Sequence, residues 1–448
     1  MAEQAPTTGG TSRRTALRGA GLAAVTGLGL TGCGSTLAAG MSGNATQRHT
    51  LTYWNLLSGG DGDRMVAMER AYQRTHPGVR LEATTLAWGN PYYTKLTLAT
   101  LGGQPPDVGI AHLTRATVLA QSDLLEPLSH TELAEFGMTA DRFNAVAWRT
   151  AHTGGELYAI PLDTHPFVLY YNTTVCRKAG LLTADGALRT IDGPDAFRAA
   201  LAAAKRVTGR YGAVASINGD NATPWRLFAT LYYQLGGDVL ADNGRRVVLD
   251  EAKAERVLSY LAELSRRELM PGSVDYNAAT TAFSTNQAGF YLQGDWEVTT
   301  FLTARTTFSM TGFPQVFGDS YVAQADSHSF VLPRDPGRDP ARRRRALRFV
   351  RTLLDHSDTW VRGGHVPAWL PFRDSAAYRR IVPQSRYAGV ADHVRYDDPG
   401  WYSGSGSDFE NIMGSVTGVV LAGRLSPSAG VRQMVRKLRR YAGTPSPV

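Results

Sequence analysis

The sequence predicts an α/β protein in two lobes, and two observations carry that expectation. Between residues 49 and 111 strand-like and helix-like segments alternate as β-α-β-α-β, the pattern of a mostly parallel sheet covered by helices. The chain also has 448 residues, more than one ordinary hydrophobic core accommodates. Residues 49–57 (HTLTYWNLL) read as the first strand, followed by a tight loop at Ser58-Gly59-Gly60-Asp61-Gly62-Asp63. Met65, Met68 and Tyr72 then fall on one face of a helix that stops near His76-Pro77-Gly78. Residues 79–86 form a second strand. Asn90-Pro91 opens a helix that closes at Gly102-Gly103, with proline just inside the start and glycine just past the end. A third strand covers 108–111, and an apolar strand covers 167–171. Further helices are expected at 194–208 with Phe197, Leu201 and Ala204 inward, at 250–270 capped by Asp250, at 340–355 and at 428–441.

The first 48 residues follow a different logic. A polar stretch ends in Ser12-Arg13-Arg14-Thr15-Ala16-Leu17-Arg18, an apolar run of about a dozen residues follows, and Leu30-Thr31-Gly32-Cys33 closes it. The apolar run is too short for a bilayer-spanning helix of roughly 20 residues. The order of parts is that of a signal peptide at 1–32, with an arginine pair of the twin-arginine type and a lipobox that makes Cys33 the lipidated first residue of the mature chain. Residues 33–48, small and polar, read as a flexible tether. The expected location is therefore the outer face of the cell membrane, as a lipoprotein.

Composition excludes several classes. Hydrophobic residues make up 43% of the chain, so the mature part is globular. The net charge of +8 is concentrated in Arg342-Arg343-Arg344-Arg345 and in the helix near 432–440. Both lie on amphipathic helices and read as solvated faces, so no nucleic-acid partner is expected. There are two cysteines; with Cys33 given to lipid, Cys176 stands alone in an apolar segment as a small buried hydrophobe.

Five short motifs occur in order: Tyr53-Trp54 with Gly59-Gly60-Asp61; Gly103-Gln104-Pro105-Pro106-Asp107-Val108; Tyr158-Ala159-Ile160-Pro161-Leu162 with Leu169-Tyr170-Tyr171-Asn172; Ala288-Gly289-Phe290-Tyr291-Leu292-Gln293-Gly294-Asp295-Trp296; and Gly364-His365-Val366-Pro367. In them the chain resembles the extracellular solute-binding proteins of ABC importers, in the carbohydrate-binding group that includes maltose-binding protein. The resemblance runs from about 50 to 440. It implies a periplasmic-binding-protein-like fold whose discontinuous lobes flank an interlobe ligand cleft. The first lobe would comprise 49–162 plus 325–354, the second 166–322 plus 357–443, with hinge crossings near 163–165, 323–326 and 355–357. Thr173 stands where the family carries lysine after Tyr-Asn. Ala111-His112 stands where it often carries a ligand-binding aromatic, so the identity of the sugar does not transfer.

A sugar offers apolar C–H faces and a rim of hydroxyls, so its site stacks aromatics and aims polar side chains. Trp54, Asn55, Asp61, His112 and Arg115 are expected on the first lobe's wall, with Ser329 beside them. Trp225, Asp295, Trp296 and Trp401 are expected on the second, and Asp163 and His165 at the floor. Asp107 is expected to fix a turn and His365 to be structural. No cofactor and no metal are expected. Partners are a carbohydrate, the permease subunits of an ABC importer, and the membrane through lipid on Cys33. The chain lacks Gly-x-Ser-x-Gly, His-Glu-x-x-His and P-loop motifs, and beyond the signal peptide it lacks the dinucleotide motif, so binding without chemistry is expected. Two variants of that reading remain: a polyol or glycerol-phosphate ester as the solute, and a ligand-sensing subunit. A secreted glycoside hydrolase using Asp163 and Asp295 is the enzymatic alternative.

Overall fold

In the computed structural model, which describes residues 49–446, strand β1 (Thr50–Asn55) buries Leu51, Tyr53 and Asn55 and half-covers the residues between them. That is the alternation of a strand with one face on a core. Helix α1 (Gly59–Thr75) turns Met65, Met68 and Tyr72 inward. It begins five residues earlier than a loop over 58–63 would allow, because Gly59 adopts a positive φ of 57° and Asp61 suits the positive end of a helix. Strand β2 (Arg80–Thr85), helix α2 (Asn90–Leu101), strand β3 (Val108–His112) and helix α3 (Leu113–Gln121) follow. Strand β4 (Ala159–Pro161) and strand β5 (Asp163–Asn172) are separated by Leu162 alone.

The chain continues through α4 (Gly193–Thr208), β6 (Tyr211–Val214), α5 (Ala222–Gln234), α6 (Glu251–Arg266), α7 (Tyr276–Ser284), β7 (Ala288–Gly294), α8 (Val298–Thr303) and β8 (Phe308–Gly312). Strands β9 (Ala323–Asp326) and β10 (His328–Val331) are separated by Ser327. After them come α9 (Pro340–Asp355), β11 (Val366–Pro367), β12 (Val394–Arg395), α10 (Asp408–Leu421) and α11 (Pro427–Ala442).

Two open sheets result. The first has the order β2-β1-β3-β10-β4. Its β1, β2 and β3 are parallel, and β10 runs antiparallel to both β3 and β4, so one strand opposes the other four. The second sheet has the order β12-β9-β5-β7-β6, with β8 and β11 also paired to β5. Strand β5 is buried along all ten residues. Phe167, Leu169 and Tyr171 enter one apolar cluster, and Val168 and Tyr170 enter another on the opposite face. Burial on both faces explains why this strand reads as a continuous apolar run and not as an alternation.

Each sheet has its own core. The first contains Tyr53, Met68, Tyr92, Ile110 and Phe349; the second contains Trp225, Phe228, Leu261, Phe290 and Met413. Trp360, Ala368 and Trp369 pack in the first core, beyond the crossing expected near 355–357. Strand β12 then joins the second sheet by pairing with β9. Arg342, Arg343 and Arg344 of α9 are ion-paired: Arg342 to Asp107 (2.8 Å) and Asp335, Arg343 to Glu132 and Glu126, Arg344 to Glu135. Asp107 also accepts from Thr52 N (2.8 Å), which clamps the turn before β3. Cys176 is buried and free. The signal peptide, Cys33 and the tether lie outside the described residues. No described helix is long and apolar enough to cross a membrane.

Trp225, expected on a ligand wall, is instead fully buried in the second core and donates from Nε1 to Asp397 Oδ1 at 3.0 Å. Helix α5 is buried over nearly its whole circumference, so an aromatic there fills core. Trp225→Ala is therefore expected to lower the unfolding free energy by about 3–5 kcal/mol, measured by chemical denaturation without ligand.

Candidate ligand-binding cleft

The two short crossings bring polar side chains to one place. His112 ends β3 and pairs in register with His328, which starts β10. Asp163 and His165 start β5, where His165 pairs with Asp326. His365 immediately precedes β11, whose Val366 pairs with Thr164. Four imidazoles and a carboxylate from four strand ends thus meet between the sheets. His365 is seated by Gly364, whose φ of 121° and near contact with the Asp295 carbonyl leave no room for a side chain.

Asp163 is completely buried. Its Oδ1 accepts from His165 Nδ1 (3.1 Å) and His328 N (2.9 Å), and its Oδ2 from His328 Nδ1 (2.8 Å) and Trp360 Nε1 (2.7 Å). Burial opposes its charge, but His328 and His365 outweigh that cost and hold the carboxyl well below its ordinary value. A carboxylate only accepts, so the network puts the ring protons of His165 and His328 on Nδ1. His112 is arranged the other way. Tyr93 Oη accepts from His112 N at 3.0 Å and lies 2.8 Å from His112 Nδ1, so the hydroxyl hydrogen goes to Nδ1 and the ring proton sits on Nε2. Burial and then the neighbouring histidines lower the pKa of both His112 and His165 well below the ordinary value, which keeps them neutral. His365 differs. Burial disfavours its charge, but Asp61, Asp163 and Asp295 together raise its pKa well above normal. Its Nε2 is 3.0 Å from Asp61 Oδ1 and its Nδ1 3.3 Å from Asp295 Oδ1. The second contact is poorly aligned, and both Asp295 oxygens and His365 Nδ1 lack a hydrogen-bond partner. Burial raises the Asp295 pKa to about 6, with His365 opposing.

These groups floor a cleft of about 640 Å³. From the first sheet's side it is lined by residues 56–61, Trp88 and His112, and from the other by Asp220, Thr223, Arg226, Tyr276, Trp296, Glu297 and Glu410. Trp88 is 46% exposed, an unusual state for the largest apolar side chain. Trp296 lies across Gly294, where any Cβ would collide with the indole. Its Nε1 donates to Tyr276 Oη at 3.2 Å, which in turn donates to Glu297. The Arg226 guanidinium lies 5.0 Å from the Trp296 ring centre. It also reaches Ser405 Oγ (3.3 Å) and Gln324 Oε1 (3.4 Å), among the buried Asp326, Asp397 and Glu410.

Of the residues expected at the site, Asp61, His112, His165 and Trp296 line the cleft. Asp163 and Asp295 lie beneath it, buried against the histidines. The other six are elsewhere. Trp54 packs half-buried on the first core with Lys95 over its ring. Asn55 uses Oδ1 to accept from Leu57 N and Thr85 Oγ1 (both 3.1 Å), which shapes the turn after β1. Arg115 stacks on Tyr93, its guanidinium 4.4 Å from the ring centre. Ser329 donates to Ala111 O at 2.7 Å within the first sheet. Trp225 is core, as described. Trp401 packs on Tyr402 and Tyr441 and donates to Thr444 O at 3.2 Å. His365, expected to be structural, lines the cleft. Trp88, Arg226 and His328 were missed although each left a signal. Trp88 sits in the polar stretch Trp88-Gly89-Asn90-Pro91, Arg226 is the lone charge in the apolar ATPWRLFATLYYQ, and His328 follows Asp326-Ser327.

A family model described as bacterial extracellular solute-binding protein matches residues 54–324. The chain belongs to that family. The arabinooligosaccharide-binding protein of Bacillus subtilis (strain 168) is 26% identical over 271 residues, which cover 58% of this chain and 57% of that protein; the match therefore spans little more than half of that relative's length. Among solved structures, the GacH receptor of Streptomyces glaucescens GLA.O, determined unliganded and with acarbose, superposes with a TM-score of 0.72 at 17% identity over 87% of this chain and 98% of its own. A solute-binding protein of Thermotoga lettingae TMO bound to α-D-tagatose gives 0.72 at 20% identity over 88% and 100%. The sugar-binding protein MalE of Xanthomonas citri gives 0.73 at 17% over 88% and 97%. These neighbours establish the two-lobed fold.

Glu410 links the cleft to pH. Its Oε1 accepts from Gly406 N at 3.0 Å and its Oε2 has no partner. Burial raises its pKa from the ordinary 4.5 to about 8, against the pull of Arg226. A raised folded-state pKa stabilises the fold at low pH, and that contribution is lost as pH rises through the folded value. Between about pH 5 and about pH 8 the ligand-free protein should lose stability, and Glu410→Gln, which mimics the neutral acid, should lose less over the same range. Denaturation at a series of pH values measures both slopes. Identical slopes would show that Glu410 is charged throughout.

Proposed function

We propose that this chain captures a neutral mono- or oligosaccharide in the cleft and delivers it to the membrane subunits of an ABC importer. The observation that carries this reading is the pairing of two accessible indoles, Trp88 and Trp296, with a floor of imidazoles. Indole faces suit the C–H faces of a pyranose. His112 offers an N–H, and Asp61, Asp220 and Glu297 offer acceptors for hydroxyls. The name of the Bacillus relative and the ligands of the structural neighbours support the same solute class. Contacts from both lobes would favour the closed state, which is the form a permease would recognise.

A phosphoester fits less well, since Arg226 already faces Asp326, Asp397 and Glu410 and a phosphate there would meet those carboxylates. Hydrolysis fits less well too: Asp163 already accepts from four donors and Asp295 is fully buried below His365. A thermal-shift screen across sugars, polyols and phosphoesters tests the assignment, because a ligand raises the melting temperature by mass action. Shifts confined to phosphoesters would overturn it. In the same reading Trp296→Ala weakens the sugar by about 2 kcal/mol or more, roughly 30-fold, while Trp401→Ala leaves calorimetric affinity unchanged. The anchoring half of the proposal is a diacylglyceryl group on Cys33, followed by the tether. Mass spectrometry of the native protein should find that modification, and an intact Met1 or a cut elsewhere would refute it.

A further inference from the structure

Asp163, His165, His328 and His365 each present one donor atom, and these four atoms lie within 4.8 Å of one another. All four residues are buried. We propose that they form a binding site for a divalent transition-metal ion, zinc above all, at the floor of the cleft. The inference does not depend on the solute being a sugar.

Three observations support it. The donor set is three imidazoles and one carboxylate, which is the chemistry zinc accepts in a tetrahedral site and which calcium and magnesium, with their demand for oxygen, do not. An inward shift of each donor by about 1 Å or less reaches the zinc–ligand distance of roughly 2.0–2.2 Å. The donors are also already oriented by groups behind them. Trp360 stacks on His365 (4.9 Å between ring centres, 16° between planes) and donates from Nε1 to Asp163 Oδ2 at 2.7 Å. His328 N holds Asp163 Oδ1 at 2.9 Å, and Asp61 stands 3.0 Å from His365 Nε2. Such outer contacts fix ligand geometry in metal sites. Finally, His365 Nδ1 and Asp295 Oδ1 face each other at 3.3 Å without forming an aligned hydrogen bond. Asp61 and Asp295 stand 3.0 and 3.3 Å from the two ring nitrogens of His365, so carboxylates gather beside the donor cluster, where a cation is favoured. The ion would take over from the imidazole N–H groups as the partner of Asp163. Because His165, His328 and His365 also line the cleft, it would lie beneath the bound solute.

The test uses the tag-free full chain, stripped with chelator and then dialysed against zinc. Elemental analysis should find about one zinc per chain, and zinc alone should raise the melting temperature, with magnesium and calcium giving no shift. Cobalt(II) should give the visible bands of a four-coordinate N/O site. His328→Gln should abolish all three signals, whereas His152→Ala, which breaks the histidine pair that His152 makes with His130 (5.6 Å between rings), should keep them. If His328→Gln does not fold, the cobalt spectrum of the wild type decides by itself. Zinc well below one equivalent, absent cobalt bands, or zinc lost in His152→Ala would overturn the site. Sugar affinity measured with chelator present separates this failure from failure of the sugar reading, since a metal-free protein that still binds sugar upholds the sugar reading whatever the zinc and cobalt results.

Discussion

An ionised carboxylate taken out of water costs several kcal/mol unless donors replace its hydration. Asp163 meets that requirement with four: two imidazole N–H groups, an indole N–H and a backbone N–H. They come from three different parts of the chain. His165 is two residues along β5, His328 opens β10, and Trp360 packs in the first core. The carboxylate therefore joins the strand that leaves the first sheet, the strand that returns to it, and the segment after α9. Removing it would leave two ring N–H groups and an indole N–H buried without acceptors, so the register of the crossings and the orientation of the histidines depend on one side chain.

Arg226 plays the corresponding part for the cleft's second wall. Helix α5 is otherwise apolar, and a guanidinium inside it is tolerable because Asp326, Asp397 and Glu410 surround it and the Trp296 ring covers it. The carboxylates outnumber the cation, and Glu410 and Asp397 respond with pKa values pushed up to about 8 and about 7 by burial. The charges of this wall are consumed within it. What remains for a ligand is hydrogen-bonding capacity and aromatic surface, which is the chemistry of a neutral polyhydroxylated solute.

The fold was legible because its signals are local. Pro91 with Gly102 bounds α2, Met65, Met68 and Tyr72 mark the inner face of α1, and the apolar run 167–171 marks the centre of β5. The site was legible only in part. Asp61, His112, His165 and Trp296 belong to a helix start, strand ends and a turn that lie in or beside the ordered motifs. Trp225 and Trp401 share the residue type of a stacking aromatic, yet one fills the second core and the other caps α11 through Tyr441. Residue type gives the capacity to stack, whereas burial decides whether a face is free, and burial depends on which elements pack together. His328 and His365 could not be paired with Asp163 from sequence, since 165 and 202 positions separate them and only the crossing strands bring them together.

Two glycines show how far the backbone itself shapes the cleft. At Gly294 a side chain would occupy the space of the Trp296 indole, and at Gly364 it would strike the Asp295 carbonyl. The first glycine lets an aromatic lie flat on the end of β7, with one face on the chain and the rest turned to the cavity. The second, at φ 121°, turns the chain so that His365 points back between Asp61 and Asp295. These close approaches put the indole and the imidazole where packing holds them before any ligand arrives. A binding surface fixed in this way loses little rotamer entropy on association. In the proposed binding mode Trp296 and His365 would therefore add little to the cost of ordering the cleft around a ligand.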